Sequence, residues 1–288
     1  MIGEIISERV RDYAPADPLE QENVLVELLQ HYVLAALSRT RFFSRAGFHG
    51  GTCLHICYGI RRFSEDLDFL LREPDPSFAW GPYIEKVIAD NRDEGIRFEP
   101  QDKSKAGTAV KKYFLKTGLS GEEMRGLKLP FPRHQGQKIR IKLEADANPP
   151  DGSGFETRYI DFPMTAAITT QTLASGFATK SHALLCREYV KGRDWYDFLW
   201  YVTKKIVPDS ALLANALKQQ GPWAGQSIRM TRAWYLETMR QRIKEIDWGK
   251  AREDVNRFIP ARERESLNAW GPDLFLQSLD RMAEIMGD

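Results

Sequence analysis

The chain has 288 residues, 42% hydrophobic and 28% charged, the composition of an ordinary globular protein long enough for two domains of about 150 residues. Disordered, collagen-like and disulfide-scaffold classes are excluded, the last because only three cysteines are present. The 41 basic and 40 acidic residues leave a net charge of +1, which by itself says nothing about a highly charged partner.

The first eleven residues carry Glu4, Glu8, Arg9 and Arg11 with no apolar core after a basic start, so they are not read as a signal peptide. Residues 18–45 read as one long amphipathic helix, with Val24, Leu25, Leu28, Leu29, Tyr32, Val33, Ala36 and Leu37 at helical spacing. Its most apolar run contains Glu27, Gln30 and His31, too polar to span a bilayer. A cytoplasmic protein without membrane contact is expected. The glycine turn Gly50-Gly51-Thr52 breaks this helix, and residues 53–58 resume a short helical pattern. Cys53 and Cys57 lie four apart there, as reduced, partly buried thiols, and Cys186 is a third. Zinc on Cys53, His55 and Cys57 is disfavoured, because His55 points off the shared face and no second ligand pair has finger spacing.

Residues 66–71 alternate as a strand, Leu67, Phe69 and Leu71 on one side, Asp66 and Asp68 on the other. A helix is expected over 78–91, strands over 97–101, 109–117 and 138–147, and helices rich in Trp, Arg and Leu from Met164 onward. The domain boundary is placed near residue 163: a core domain over 1–163 and a helical domain over 164–288. In the 138–147 strand Ile139, Ile141, Leu143 and Ala145 form the apolar face and Arg140, Lys142, Glu144 and Asp146 the polar one.

The charge is unevenly spread. Between Lys103 and Lys142 eleven basic residues face two acids, Glu122 and Glu123, a local +9 that leaves the rest of the chain at −8. Tyr113, Phe114 and Phe131 interleave the cations, so a polyphosphate or nucleic-acid contact stands beside a solvated face as a reading of this stripe. Arg229, Arg232, Arg240, Arg242 and Lys244, around Trp234 and Tyr235, form a second basic stretch, read first as a solvated amphipathic helix. The aromatics Trp195, Tyr196, Phe198, Trp200 and Tyr201 are read as core before a base-stacking platform.

The chemistry converges on the glycine turn and the Asp-x-Asp strand. Residues two apart on a strand project from one face, about 6.6 Å apart along it. Two carboxylates that close repel unless a cation lies between them, which makes Asp66 and Asp68 a natural Mg²⁺ site, with Mn²⁺ as the alternative. Glycines opening a helix let a phosphate approach its first amides, and Thr52 adds a hydroxyl. A third carboxylate is expected from the neighbouring strand: Glu144, or Asp146 one step along the same face.

The Gly50-Gly51-Thr52 turn, the run Arg62-Phe63-Ser64-Glu65-Asp66-Leu67-Asp68-Phe69, and Lys180 with Lys191-Gly192-Arg193-Asp194-Trp195-Tyr196-Asp197 together resemble the AbiEii/AbiGii toxin family of the DNA polymerase β-like nucleotidyltransferase superfamily. The resemblance covers most of the first two hundred residues. It implies an α+β fold, a small mixed sheet flanked by helices and followed by a helical domain that closes the nucleotide cleft. It also implies the toxin of a toxin–antitoxin or phage-abortive system, with a nucleoside triphosphate as substrate, an RNA acceptor such as a tRNA 3′ end, and a cognate antitoxin. Carried over by position, Gly50, Gly51, Thr52 and Ser64 belong to the triphosphate-binding segments, Asp66 and Asp68 to the metal dyad, Lys180 to the third motif and Asp194 to the fourth. Lys180 would grip phosphate, and Asp194 would orient it or help activate the attacking hydroxyl. Two further functions remain open beside it: nucleotidylation of a protein hydroxyl, and a non-catalytic module that binds NTP or RNA.

Overall fold

The computed structural model describes residues 2–105, 107–119, 126–134 and 136–287. Contacts divide the chain into two compact units, one comprising Met1–Pro149 and Thr157–Thr170, the other Pro150–Glu156 and Gln171–Asp288.

The first unit is a seven-stranded mixed sheet with flanking helices, in the order β3-β4-β5-β2-β1-β7-β6. Its helices are α1 (Ile2–Tyr13), α2 (Pro18–Ser38), α3 (Phe42–Arg45), α4 (Gly50–Tyr58) and α5 (Gly81–Asp93). The strands are β1 (Ala46–His49), β2 (Asp66–Leu71), β3 (Glu99–Asp102), β4 (Val110–Thr117), β5 (Ile139–Asp146), β6 (Phe155–Ile160) and β7 (Ala166–Gln171). The eight apolar positions foreseen on α2 are all buried. Asp17 caps this helix by accepting from the Glu20 amide, with Pro18 at its first position.

Three expectations are corrected. The long helix over 18–45 ends at Ser38: the Thr40 hydroxyl donates to the Leu37 carbonyl and accepts from the Phe42 amide, turning the chain into α3 and then β1. The helix after the glycines begins at Gly50 itself, not at residue 53. Helices do not begin at Met164, because β7 occupies 166–171 and pairs in parallel with β1 through Phe48 and Thr170. The β-branched run Ile168-Thr169-Thr170 suits a strand, and Thr172 caps α6 only beyond it.

The second unit holds α6 (Leu173–Cys186), α7 (Gly192–Thr203), α8 (Ser210–Gln219), α9 (Arg232–Glu245), α10 (Trp248–Asn256), a 3₁₀ segment (Ala261–Ala269) and α11 (Pro272–Met286). Its core is aromatic. Phe177 stacks on Tyr201 at 4.4 Å, and Trp248 on Phe275 at 4.1 Å with Trp195 edge-on to both. Of the aromatics foreseen as core, Trp195, Phe198 and Tyr201 are buried; Tyr196 and Trp200 are half-buried. Three arginines of the α9 stretch act as internal ties: Arg240 pairs with Asp280, Arg232 donates to the Ala283 carbonyl, and Arg242 donates to the carbonyls of Leu184 and Arg187.

Candidate active site

The alternation of β2 and β5 decides the site. Leu67, Phe69, Ile141, Leu143 and Ala145 are buried on one face, leaving Asp66, Asp68, Lys142, Glu144 and Asp146 on the other. The strands pair in parallel with Asp66 opposite Lys142 and Asp68 opposite Glu144, and β4 places Lys112 opposite Glu144. Directly opposed residues on one face are near neighbours. Lys112, Glu144 and Asp68 thus form a row across three strands.

Carboxylate oxygens of Asp66, Asp68 and Glu144 lie within 4.8 Å of one another, all half-exposed. Oxygens sharing one octahedral Mg²⁺ stand about 3–4 Å apart, since each sits about 2.1 Å from the ion. The donor set is all hard oxygen, so it suits Mg²⁺ or Mn²⁺ rather than zinc. Among the described residues this is the one group of three such ligands. Asp146 stands apart: it sits opposite Leu70 and accepts from the Asn148 amide, and burial pushes its carboxyl above the ordinary range against that hydrogen bond.

Two lysines engage the carboxylates. Lys142 Nζ lies 3.2 Å from Asp66 Oδ2 and 3.1 Å from Glu144 Oε1, and Lys112 Nζ 3.1 Å from the same Glu144 oxygen. Burial alone would raise the Glu144 carboxyl, but hydrogen bonds and charge from Lys142 and Lys112 outweigh it and hold it below the usual range. Lys142 responds reciprocally: burial disfavours its ammonium, while Asp66 and Glu144 raise its pKa above the ordinary lysine value. Sequence reasoning placed Lys142 on this face without assigning it a part; its two-residue spacing from Glu144 was the available signal.

The glycine turn lies against the dyad. Gly50 opens α4 at φ +76°, and a Cβ there would stand 2.9 Å from Asp68 Oδ2. Only glycine reconciles that backbone with that contact. At Gly51 a Cβ would meet the buried Arg62 guanidinium at 2.3 Å, so its missing side chain is the space Arg62 fills. The N-cap of α4, His49, places no side-chain acceptor on the first-turn amides, which leaves the positive end of the helix suited to an anion. Thr52 is fully buried, and its hydroxyl donates to the Asp66 carbonyl, tying the head of α4 to the start of β2. The half-buried Ser64 lies just before β2, where Gln30 Nε2 on α2 donates to the carbonyls of Ser64 and Glu65 at 3.1 and 2.9 Å.

One turn earlier on α2, Glu27 accepts from His55 Nε2 of α4 at 2.8 Å and from the Tyr13 hydroxyl. His55 Nδ1 faces the Ile60 carbonyl at 2.6 Å. With acceptors on both nitrogens, the ring favours the doubly protonated form. Burial lowers its pKa, and the charge and hydrogen bond of Glu27 more than offset that. His55 thereby joins α4 to α2 and is no neighbour for a cysteine-bound metal.

In the second unit, Lys180 Nζ of α6 lies 2.7 Å from Asp194 Oδ1 and 2.8 Å from Asp197 Oδ2, both on α7. Arg187 pairs with the other Asp194 oxygen. Both acids are buried. Burial would raise the Asp194 carboxyl, but the charges of Lys180, Arg187 and Lys191 hold it far below the carboxylate range. Lys191 moves down, its burial outweighing Asp194. Lys180 and Asp194 are thus brought together, in a compensated cluster with Asp197, which the motif included without a role.

The basic stripe is not one open surface. Arg133 is bidentate to Glu22, Lys138 pairs with Glu99, Arg140 lies over Phe114, and Lys111 is buried. Glu122, Glu123 and Arg125 lie outside the described residues.

The sequence model of the family described as nucleotidyl transferase AbiEii toxin, Type IV TA system, matches residues 32–278. No curated protein matches the chain. Among solved structures the chain is similar to MenT4, a nucleotidyltransferase toxin of Mycobacterium tuberculosis H37Rv, at 16% identity and a TM-score of 0.52 over 97% of this chain and 98% of that one. It is also similar to JHP933 of Helicobacter pylori, at 16% identity and a TM-score of 0.53 over 92% of this chain and 91% of that one. At these identities the likeness is one of fold. No described helix is long and apolar enough to cross a membrane.

Proposed function

The chain belongs to the AbiEii nucleotidyltransferase toxin family, and we propose that it transfers NMP from a nucleoside triphosphate to a hydroxyl on RNA, such as a tRNA 3′ end. The reading is carried by one observation: three carboxylates converge beside the N-terminus of α4, with Gly50 bringing that backbone against Asp68. Asp66, Asp68 and Glu144 would hold Mg²⁺, with Mn²⁺ as the alternative, which supplies charge neutralisation at phosphate oxygens and activation of an oxygen nucleophile. The first amides of α4, at Gly50 and Gly51, bind triphosphate oxygens. Thr52 and Ser64 serve that grip by setting the backbone between α4 and β2. The acceptor hydroxyl gives up its proton to water as its oxygen attacks the α-phosphorus, the bond from that phosphorus to the bridging oxygen of the β-phosphate breaks, and pyrophosphate leaves with the electron pair.

Lys180 and Asp194 are assigned to phosphate neutralisation and its orientation by their motif match. The buried pairing supports a lysine held in one position by two carboxylates. A cognate antitoxin and a cytoplasmic location complete the proposal.

Incubation with each α-labelled NTP, magnesium, and total cellular RNA or protein tests it. Label in RNA, dependent on Asp66 and Asp68, is the expected result. Label in protein would replace the acceptor, and nucleotide binding without transfer to any acceptor would overturn the enzymatic reading.

A further inference from the structure

The carboxylate group is not held by acids alone. Lys142 comes from the same strand as Glu144, two residues earlier, and stands opposite Asp66 in the register with β2. Its ammonium bridges the two strands, 3.2 Å from Asp66 and 3.1 Å from Glu144, with the side chain only 24% exposed. Lys112, 48% exposed, reaches the same Glu144 oxygen from the other flank. These oxygens belong to two of the three residues whose ligand atoms converge, Asp66 and Glu144.

A divalent cation on those oxygens would compete with Lys142 for the same lone pairs, and the two like charges would repel at short range. The lysine must then give way, which its four-carbon stem allows without moving β5. The ammonium so displaced needs a new anionic partner. A bare cation brings none. A cation that arrives on a triphosphate brings phosphate oxygens to the spot Lys142 can reach.

We propose that Lys142 is a specificity-determining residue that makes the site reject the free divalent ion and accept the ion carried on a triphosphate. It rests on the metal reading of Asp66, Asp68 and Glu144 given above and extends it to a residue outside the family motifs. A lysine that only filled space or held the strands together would support both ligands equally. Lys142 should instead act on them in opposite directions.

The test is equilibrium dialysis of Mn²⁺ alone, and of Mn²⁺ with inorganic tripolyphosphate, against the protein, reading total manganese on each side of the membrane and requiring no turnover. For Lys142→Met the expected result is about tenfold tighter binding of Mn²⁺ alone and several-fold weaker binding of the tripolyphosphate complex, the sign following from removing one positive charge. Lys142→Arg keeps the charge and should stay near wild type for Mn²⁺ alone. Should Lys142→Met not fold, Lys142→Gln carries the same expectation. Unchanged or weaker binding of Mn²⁺ alone, or tighter binding of both ligands, would overturn the inference while leaving the metal site standing. Absence of Mn²⁺ binding to wild type and variants alike, with and without tripolyphosphate, would instead overturn the metal reading beneath it.

Discussion

Two clusters of the same residue types, acids with lysines and arginine, behave differently because of where the fold puts them. On the sheet of the first unit, Asp66, Asp68 and Glu144 are half-exposed, with Lys142 pairing to Asp66 and Glu144 and Lys112 to Glu144. In the helical unit, Asp194 and Asp197 are buried against Lys180, with Arg187 closing the second side of Asp194. The first cluster gathers three carboxylates at an accessible face, an arrangement that invites a cation. The second is compensated at short distance, and breaking it leaves a buried charge alone. An open acid cluster should be sensitive in chemistry and tolerant in folding. The buried pair should be sensitive in folding first.

The largest effect separates them most sharply. Asp68→Asn should lower NMP transfer by about a thousandfold, the scale of losing electrostatic stabilisation at a reacting centre, while leaving the melting temperature close to that of wild type because the site is half-exposed and the amide is nearly isosteric. Asp197→Ala should do the reverse in kind, costing about 3–5 kcal/mol by urea unfolding, because it removes one of the two buried carboxylates that pair with Lys180. Equal stability losses in the two variants would erase the distinction.

Smaller effects sharpen the first side. Gly50→Ala should cost about 1–2 kcal/mol from left-handed backbone alone, and the added Cβ against Asp68 should lower transfer beyond what the lost stability explains. Gln30→Ala removes two hydrogen bonds from a buried side chain to the segment before β2 and should cost about 1–3 kcal/mol, with transfer falling in proportion to the loosened strand entry.

The smallest effect is in pH. The Asp194 carboxyl is held below its unfolded value because Lys180, Arg187 and Lys191 outweigh its burial. A depressed carboxyl contributes stability that is fully present above the unfolded carboxylate range and is lost as pH falls through the folded value. The stability gap between wild type and Asp194→Asn, measured by urea unfolding, should be constant from neutrality to about pH 5 and narrow below about pH 4, where the unfolded carboxylate begins to protonate. A gap that widened on acidification would contradict the buried ion pair.

What the sequence made legible was local. Period-two alternation identifies β2 and β5 and puts Asp66, Asp68 and Glu144 on their polar faces, and helical spacing gives the buried face of α2. Choosing Glu144 over Asp146 needed the register between two strands some seventy residues apart, and alternation within one strand carries no register. The strand β1 was hidden for another reason: Ala46-Gly47-Phe48-His49 is four residues long, too short to show a period, and buried on both faces at its first three positions. The turn chemistry at Thr40 that ends α2 is visible only once Phe42 is seen to donate to it. Lys142, Gln30 and the Glu27–His55 pair are ordinary polar residues in the sequence, and only tertiary contact shows what they hold.

The most direct measurement of the central claim is transfer of α-labelled NMP to total RNA by wild type and Asp68→Asn, compared at equal folded fraction and with each of the four NTPs. The account predicts label in RNA for wild type with at least one NTP, and loss of that label in Asp68→Asn at an undiminished melting temperature. Transfer by Asp68→Asn at the wild-type rate would contradict it.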